Sequence, residues 1–309
     1  MFSFYHKIFL LLVATFCSLQ VFANDNETLN PKAPPGLNFD LLDWNLTVPT
    51  DANNDGKVDT IPEVFLAKGF SYEPYFYTAA DGGMVFTAFV KGPKTSKNTK
   101  YTRSELREML RRGNNRIKTQ GVNENNWVFS SVRAKEQRKA GGVDGRLEAT
   151  LAVNNVTVTG DPKQVGRVIV GQIHAKDDEP ARIYYRKLPN NTKGSIYLAH
   201  EPRGGDDSYY EFVGSRSSNA KDPQDGIALD EKFSYIIDVL GDILTVTLSR
   251  EGKDDITHVV DMQNSGYNKR NQYMYFKAGV YNQNSTGVPE DYAQATFYRL
   301  VNSHKGYDH

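Results

Sequence analysis

From Phe39 to the C-terminus, short runs rich in Val, Ile, Tyr, Phe and Thr alternate with Gly, Asn and Asp clusters, and this punctuation constrains the fold most. The runs are Met84–Val90, Trp127–Ala134, Leu147–Val153, Arg167–His174, Ala181–Arg186, Ser195–Ala199, Tyr209–Gly214, Phe233–Leu240, Ile243–Arg250, Thr257–Met262, Met274–Tyr281 and Ala293–Val301. Many β-prone runs at such spacing, with few helical patterns, predict an all-β sandwich or jelly roll. Gly241-Asp242 between two such runs predicts a tight hairpin of the Gly-X kind.

Three stretches depart from an ordinary apolar strand. They are Tyr101–Arg107, Val170–Ala175 and Tyr275–Gln283. In an extended strand successive side chains point to opposite faces, so Arg103, Glu105 and Arg107 share one side. Gln172 shares a side with His174, and Lys277 with Tyr281 and Gln283. If the strands are neighbours, their polar faces form one floor suited to binding a carboxylated substrate and moving a proton on it. The residues 103–112 also fit a salt-bridged helix, with Glu108 at helical spacing from Arg111 and Arg112.

The N-terminus bounds the setting. Lys7, the apolar run Ile8–Ala14 and the small-residue end at Ala23 predict a secretory signal peptide over residues 1–23, hence a secreted or periplasmic product. The only cysteine, Cys17, lies inside it, so a disulfide-free mature chain is expected. Asn24–Gly36, with Pro31, Pro34 and Pro35, reads as a linker without ordered structure. Residues 37–309 read as one domain, within reach of the roughly 200–250 residues common for β-sandwiches.

Charge excludes some functions. The chain has 37 basic and 37 acidic residues, and removing Lys7 leaves 36 against 37. Binding to nucleic acid through bulk positive charge is therefore not expected. No second apolar run approaches the ~20 residues needed to cross a bilayer. A monomer is expected.

Metal and hydrolytic readings are weaker. Asp51–Asp59 imitates the front of a calcium loop, but Pro62 stands where a bidentate Glu is needed, so a solvated turn is favoured. No two histidines stand at zinc-ligand spacing, and no metal or cofactor is expected. A glycosidase needs two carboxyl groups facing one bond, whereas the polar strands offer only Glu105. Gly92–Lys100 and Asn282–Asp291 read as loops that rim a cleft and move over a ligand.

Arg-Ser-Glu-Leu-Arg at 103–107, Gln-Ile-His at 172–174 and Tyr-Phe-Lys-Ala-Gly-Val-Tyr-Asn-Gln at 275–283 together resemble the three motifs of the polysaccharide lyase family 7 alginate lyases, in the same order. Phe39–Pro49 is similar to that family's first strand. The resemblance implies a β-jelly roll of two curved antiparallel sheets with alginate lying across the concave one. It implies β-elimination: the C5 proton of a uronate is removed, the 4-O-glycosidic bond breaks, and an unsaturated sugar forms.

By the same resemblance Arg103, Gln172, His174 and Tyr281 are catalytic. Arg103, Gln172 and His174 neutralise the carboxylate, whose adjacent proton is otherwise too weakly acidic. Tyr281 protonates the leaving oxygen, with His174 as base for guluronate and Tyr281 itself for mannuronate. Arg103 and Lys277 are expected to favour the Tyr281 phenolate. Glu105, Arg107, Lys277, Asn282 and Gln283 are expected to hold the substrate or orient its partners. Ile173 in the middle motif goes, in that family, with acceptance of guluronate-containing blocks. Two alternatives stay open: a lyase for another polyuronate such as glucuronan, and a non-catalytic polyuronate-binding module.

Overall fold

The β-prone runs pair into two sheets packed face to face. The computed structural model describes residues 28–308, so the signal peptide, Cys17 and the first residues of the linker lie outside the described residues. With strands numbered in chain order, one sheet runs Ser208–Val213 (β11), Lys193–His200 (β10), Ala181–Arg186 (β9), Arg167–His174 (β8), Tyr275–Asn282 (β16), Arg103–Glu108 (β5), Trp44–Val48 (β1) and Asp59–Ile61 (β2). Ile227–Ala228 (β12) adds to β10. The other sheet runs Ile256–Asp261 (β15), Ile243–Ser249 (β14), Lys232–Leu240 (β13), Gly142–Asn155 (β7), Tyr292–Lys305 (β17), Met84–Phe89 (β4) and Phe76–Thr78 (β3), with Trp127–Val128 (β6) parallel to β7. All other pairings are antiparallel, as the all-β reading predicts.

The core lies between the sheets. Leu106, Phe276, Ala278, Val280, Val168 and Ile173 face it from one side, and Phe86, Leu151, Phe233, Tyr235 and Phe297 from the other, all buried. Phe86 packs edge-on to Phe297 with ring centroids 5.3 Å apart. Residues 103–108 form strand and not helix. Glu108 turns inward instead of pairing along a helix: its carboxylate accepts from Asn302 Nδ2 at 2.8 Å and from the Phe276 amide at 3.0 Å, and lies 2.8 Å from His304 Nε2. Arg111 goes to Glu63, and Arg112 to Asp40 and Asp43.

The hairpin at Gly241-Asp242 is present, with Leu240 opposite Ile243 and Gly241 at φ 63°, where a Cβ is disfavoured. Three expectations are corrected. Residues 28–36 are ordered: Asn38 Nδ2 donates to Asn30 O at 2.9 Å, Thr78 Oγ1 donates to Ala33 O at 2.7 Å, and Pro35 opens a short helix, Pro35–Asn38 (α1). Proline fits a first helical position, so the Pro-rich stretch marks a helix start. Second, the expected strand Trp127–Ala134 stops at Val128, because Asp144 takes the Ser130 amide at 2.7 Å and the chain turns into the short helix Ala134–Gln137. Third, the 282–291 loop is no free lid: Asn284 bonds to Thr157 and Thr159, and Asp291 to the backbone amides of Val158 and Thr159. The 92–100 loop stays exposed, with hydroxyl bonds running from Thr95 and Ser96 to Thr99.

Candidate active site

The three polar strands are adjacent, in the order β8, β16, β5. Lys277 pairs with Arg107 on one side and Gln172 on the other, Gly279 with Glu105, and Tyr281 with Arg103. Arg103, Glu105, Arg107, Lys277 and Tyr281 therefore share the outer face, while Ser104, Leu106, Ala278 and Val280 lie buried on the other.

On β8 a simple alternation would fail, because Gln172 and Ile169 differ by three positions. A bulge near Val170 resolves it: the register to β9 and to β16 shifts there. Val170 belongs to the main core, and a Cβ on Gly171 would lie 2.3 Å from the Tyr235 hydroxyl, so both face inward. Ile169 instead packs with Tyr184, Tyr197 and Tyr281 on the outer face. The two-residue inward step returns Gln172 and His174 to that face.

Glu105 is the hub. Its side chain is 1% exposed and meets Arg103 Nη1 at 2.9 Å, and it also accepts from Lys277 Nζ and Gln172 Nε2. Burial alone would raise its carboxyl, but Lys277 and then Arg103 hold it below the ordinary carboxylate value. Burial pushes Lys277 down to about 8, helped by Arg103 and opposed by Glu105. Glu105 thus fixes three donors around one point, and burial leaves it little surface to offer a substrate.

Arg103 stacks over the Tyr281 ring at 3.6 Å. Burial raises the Tyr281 hydroxyl above its ordinary value, with Arg103 opposing and Glu105 and Glu179 adding to the rise. This corrects the expected phenolate: desolvation outweighs the cation, so Tyr281 rests as a phenol. His174 Nδ1 lies 2.6 Å from the Ala175 carbonyl, which can only accept, so Nδ1 carries the proton and Nε2 the lone pair. Burial lowers the His174 pKa, Glu179 opposes, and Lys277 and Arg103 lower it further. The ring stacks on Tyr275 at 5.0 Å.

The remaining expected residues divide. Arg107 stacks over Tyr275 at 3.9 Å and donates to Thr119 O at 2.7 Å and Asn126 Oδ1 at 3.2 Å, so it backs the ring that backs His174. Asn282 does not reach the outer face: it is fully buried, its Nδ2 donates to Ala88 O, and its Oδ1 accepts from the Asn284 amide. Its assignment to substrate is corrected, since it follows Tyr281 by one position and so points inward. Gln283 keeps a buried amide nitrogen with no partner among the described residues.

Some neighbours were not anticipated. Arg182, Tyr184 and Arg186 on β9 alternate as Arg103, Glu105 and Arg107 do, and the same period-2 pattern could have flagged them. Arg167, Tyr184, Arg186, Tyr197, Tyr209 and Arg216 line a cavity of about 540 Å3 that extends the floor beyond Ile169. The 51–59 loop is a self-satisfied turn: Asp51 accepts from the amides of Asp55 and Gly56, and Asp59 from Thr50 and Ala52. Among the described residues no three His, Cys, Asp or Glu side chains are grouped to hold a metal ion.

A cationic, donor-rich floor with one phenol and one neutral imidazole can neutralise a carboxylate, remove a proton beside it and protonate a leaving oxygen. Comparison with known proteins agrees with that chemistry. Residues 39–304 match the family model described as alginate lyase. An alginate lyase of Klebsiella pneumoniae is 55% identical over 303 residues, covering 95% of this chain and 97% of that protein. The crystal structure of the alginate lyase from Klebsiella pneumoniae has a TM-score of 0.87 at 57% identity, covering 89% of this chain and all of that one. The family 7 alginate lyase A1-II′, solved with a GGG product, has a TM-score of 0.65 at 27% identity over 88% of this chain and 100% of that one. These likenesses agree with the jelly-roll expectation and set aside the non-catalytic module. The chain belongs to polysaccharide lyase family 7, the alginate lyases.

Proposed function

We propose that this alginate lyase acts preferentially on guluronate-containing blocks, with His174 as the base and Tyr281 as the acid. The observation that carries the reading is the pair of resting states on one face: an Nδ1-protonated imidazole with a free Nε2 lone pair, and a phenol that burial keeps protonated. Arg103, Lys277 and Gln172, clustered by Glu105, take up the substrate carboxylate and stabilise the charge that builds on it. His174 Nε2 accepts the C5 proton, the freed electron pair forms the C4–C5 double bond, and the C4–O bond breaks. Tyr281 gives its proton to the departing oxygen, so no water enters the bond. A mannuronate route through a Tyr281 phenolate works against the raised pKa of that hydroxyl.

The leader expected at residues 1–23 supports export of the mature enzyme. The test is the rise in ultraviolet absorbance of the unsaturated product on polyguluronate, polymannuronate and glucuronan, each with chelator present. The fastest rise is expected on polyguluronate. A faster rise on polymannuronate would overturn the preference, and one on glucuronan the choice of polymer.

A further inference from the structure

The free nitrogen of His174 has a neighbour outside the three motifs. Oε1 of Glu179 lies 3.3 Å from His174 Nε2. Glu179 sits in the short connection from β8 to β9, which the Ala175 amide closes by donating to Asp178 O at 2.8 Å. Behind it stands Glu201, whose carboxyl burial pushes up to about 7, with Arg182 opposing and a hydrogen bond to Glu179 adding to the rise. Arg182 anchors the group: it is 3.1 Å from Glu201 Oε2 and 3.9 Å from Glu179 Oε2, and it pairs with Asp207.

This geometry has a chemical consequence. A neutral imidazole protonated on Nδ1 turns its Nε2 lone pair toward a carboxylate oxygen, which is repulsive unless a proton lies nearby. Two carboxyl groups that share a hydrogen bond supply a place for that proton. At 3.3 Å the contact is longer than the ~2.7–2.9 Å of a tight charge-assisted hydrogen bond, so Glu179 stands beside the lone pair without capping it. The side chains of His174 and Glu179 are 23% and 25% exposed, so both reach the groove.

We propose that Glu179 is a positioning residue for the elimination: it steadies the His174 imidazolium and receives its proton, with Glu201 as the next holder before solvent. The proposal rests on His174 being the base. In the first step the C5–H bond breaks and an Nε2–H bond forms. In the second the Nε2–H bond breaks, its electron pair returns to nitrogen, and a Glu179 O–H bond forms before water takes the proton. The groups around His174 are Glu179 from the connection, Tyr275 and Lys277 from β16, Arg103 from β5 and the Ala175 carbonyl. Among them, Glu179 is the one anion that raises the affinity of the ring for a proton.

The test is to follow His174 by NMR titration in the folded enzyme and, in parallel, the pH dependence of kcat/KM on polyguluronate. In Glu179→Gln the His174 titration is expected to fall by about one pH unit, and the acid limb of kcat/KM to move down with it, since a less basic ring stays neutral to lower pH. Glu179→Asp, which keeps the charge, should leave the limb near that of the parent and also guards against a folding artefact. A His174 titration unmoved in Glu179→Gln overturns the inference and leaves the base assignment intact. A titration that falls while the acid limb stays put upholds the electrostatic hold of Glu179 and overturns His174 as the base.

Discussion

Tyr281 and Glu105 have the same kind of surroundings and opposite outcomes. Both are desolvated beside Arg103, yet the phenol is held protonated and the carboxyl ionised. The difference is number: Glu105 takes Arg103, Lys277 and Gln172 directly, whereas Tyr281 has Arg103 alone, stacked over its ring and hydrogen-bonded to its hydroxyl, with Glu105 and Glu179 acting the other way. Tyr281→Phe keeps that stack and removes the proton donor. It should fold with an unchanged far-ultraviolet circular dichroism spectrum and Tm and lose at least ~100-fold in kcat, measured by the initial rate of product absorbance. The identities of Arg103, Gln172, His174, Lys277 and Tyr281 as one face were legible from alternation and residue type. The state of Tyr281 was not, because burial is a property of the packed sheet, and counting nearby cations gives the wrong sign. Glu179 was equally hidden, since a lone Glu in a polar turn carries no periodic signal.

At the level of the strand, β8 depends on its bulge. Gly171 faces the Tyr235 ring so closely that any Cβ would overlap the hydroxyl, which itself donates to Val170 O at 3.1 Å. Gly171→Ala should therefore destabilise the fold by about 1–3 kcal/mol, read from the denaturant midpoint, and should depress kcat by moving Gln172 and His174. Strand positions were well marked in the sequence: Arg167–His174 and Ala181–Arg186 were anticipated to the residue. The bulge was not, because Val170 and Gly171 look like ordinary members of an apolar run, and only the opposing Tyr235 reveals that both point inward. The same limit explains Trp127–Ala134, where a distant carboxylate, Asp144, ends the strand.

Across the whole molecule, the two sheets are joined by polar as well as apolar contacts. Glu108 on β5 receives Asn302 and stands beside His304, both from β17 in the opposite sheet, as well as the Phe276 amide of its neighbour. Glu108→Ala should leave those groups without their partner in a buried site. The expected cost is roughly 3 kcal/mol or more, seen as a fall in Tm. The sandwich as a class was legible from the recurrence of β-prone runs. This inter-sheet network was not, because its members are separated by most of the chain and read singly as surface polar residues.

Because β5 carries outer-face groups at 103, 105 and 107 and core-facing groups at 104, 106 and 108, parity there sorts residues by face. Strand β16 follows the same odd-numbered rule at 277 and 281, whereas β8 changes from odd to even across its bulge. Even positions on β5 are then open to changes of stability with little effect on chemistry, whereas odd positions serve both tasks, since Glu105 is the buried partner of Arg103 and Lys277. A one-residue deletion in either strand would exchange the two sets, placing charge in the core and leucine under the polymer, so insertions and deletions there should be absent from any active variant library.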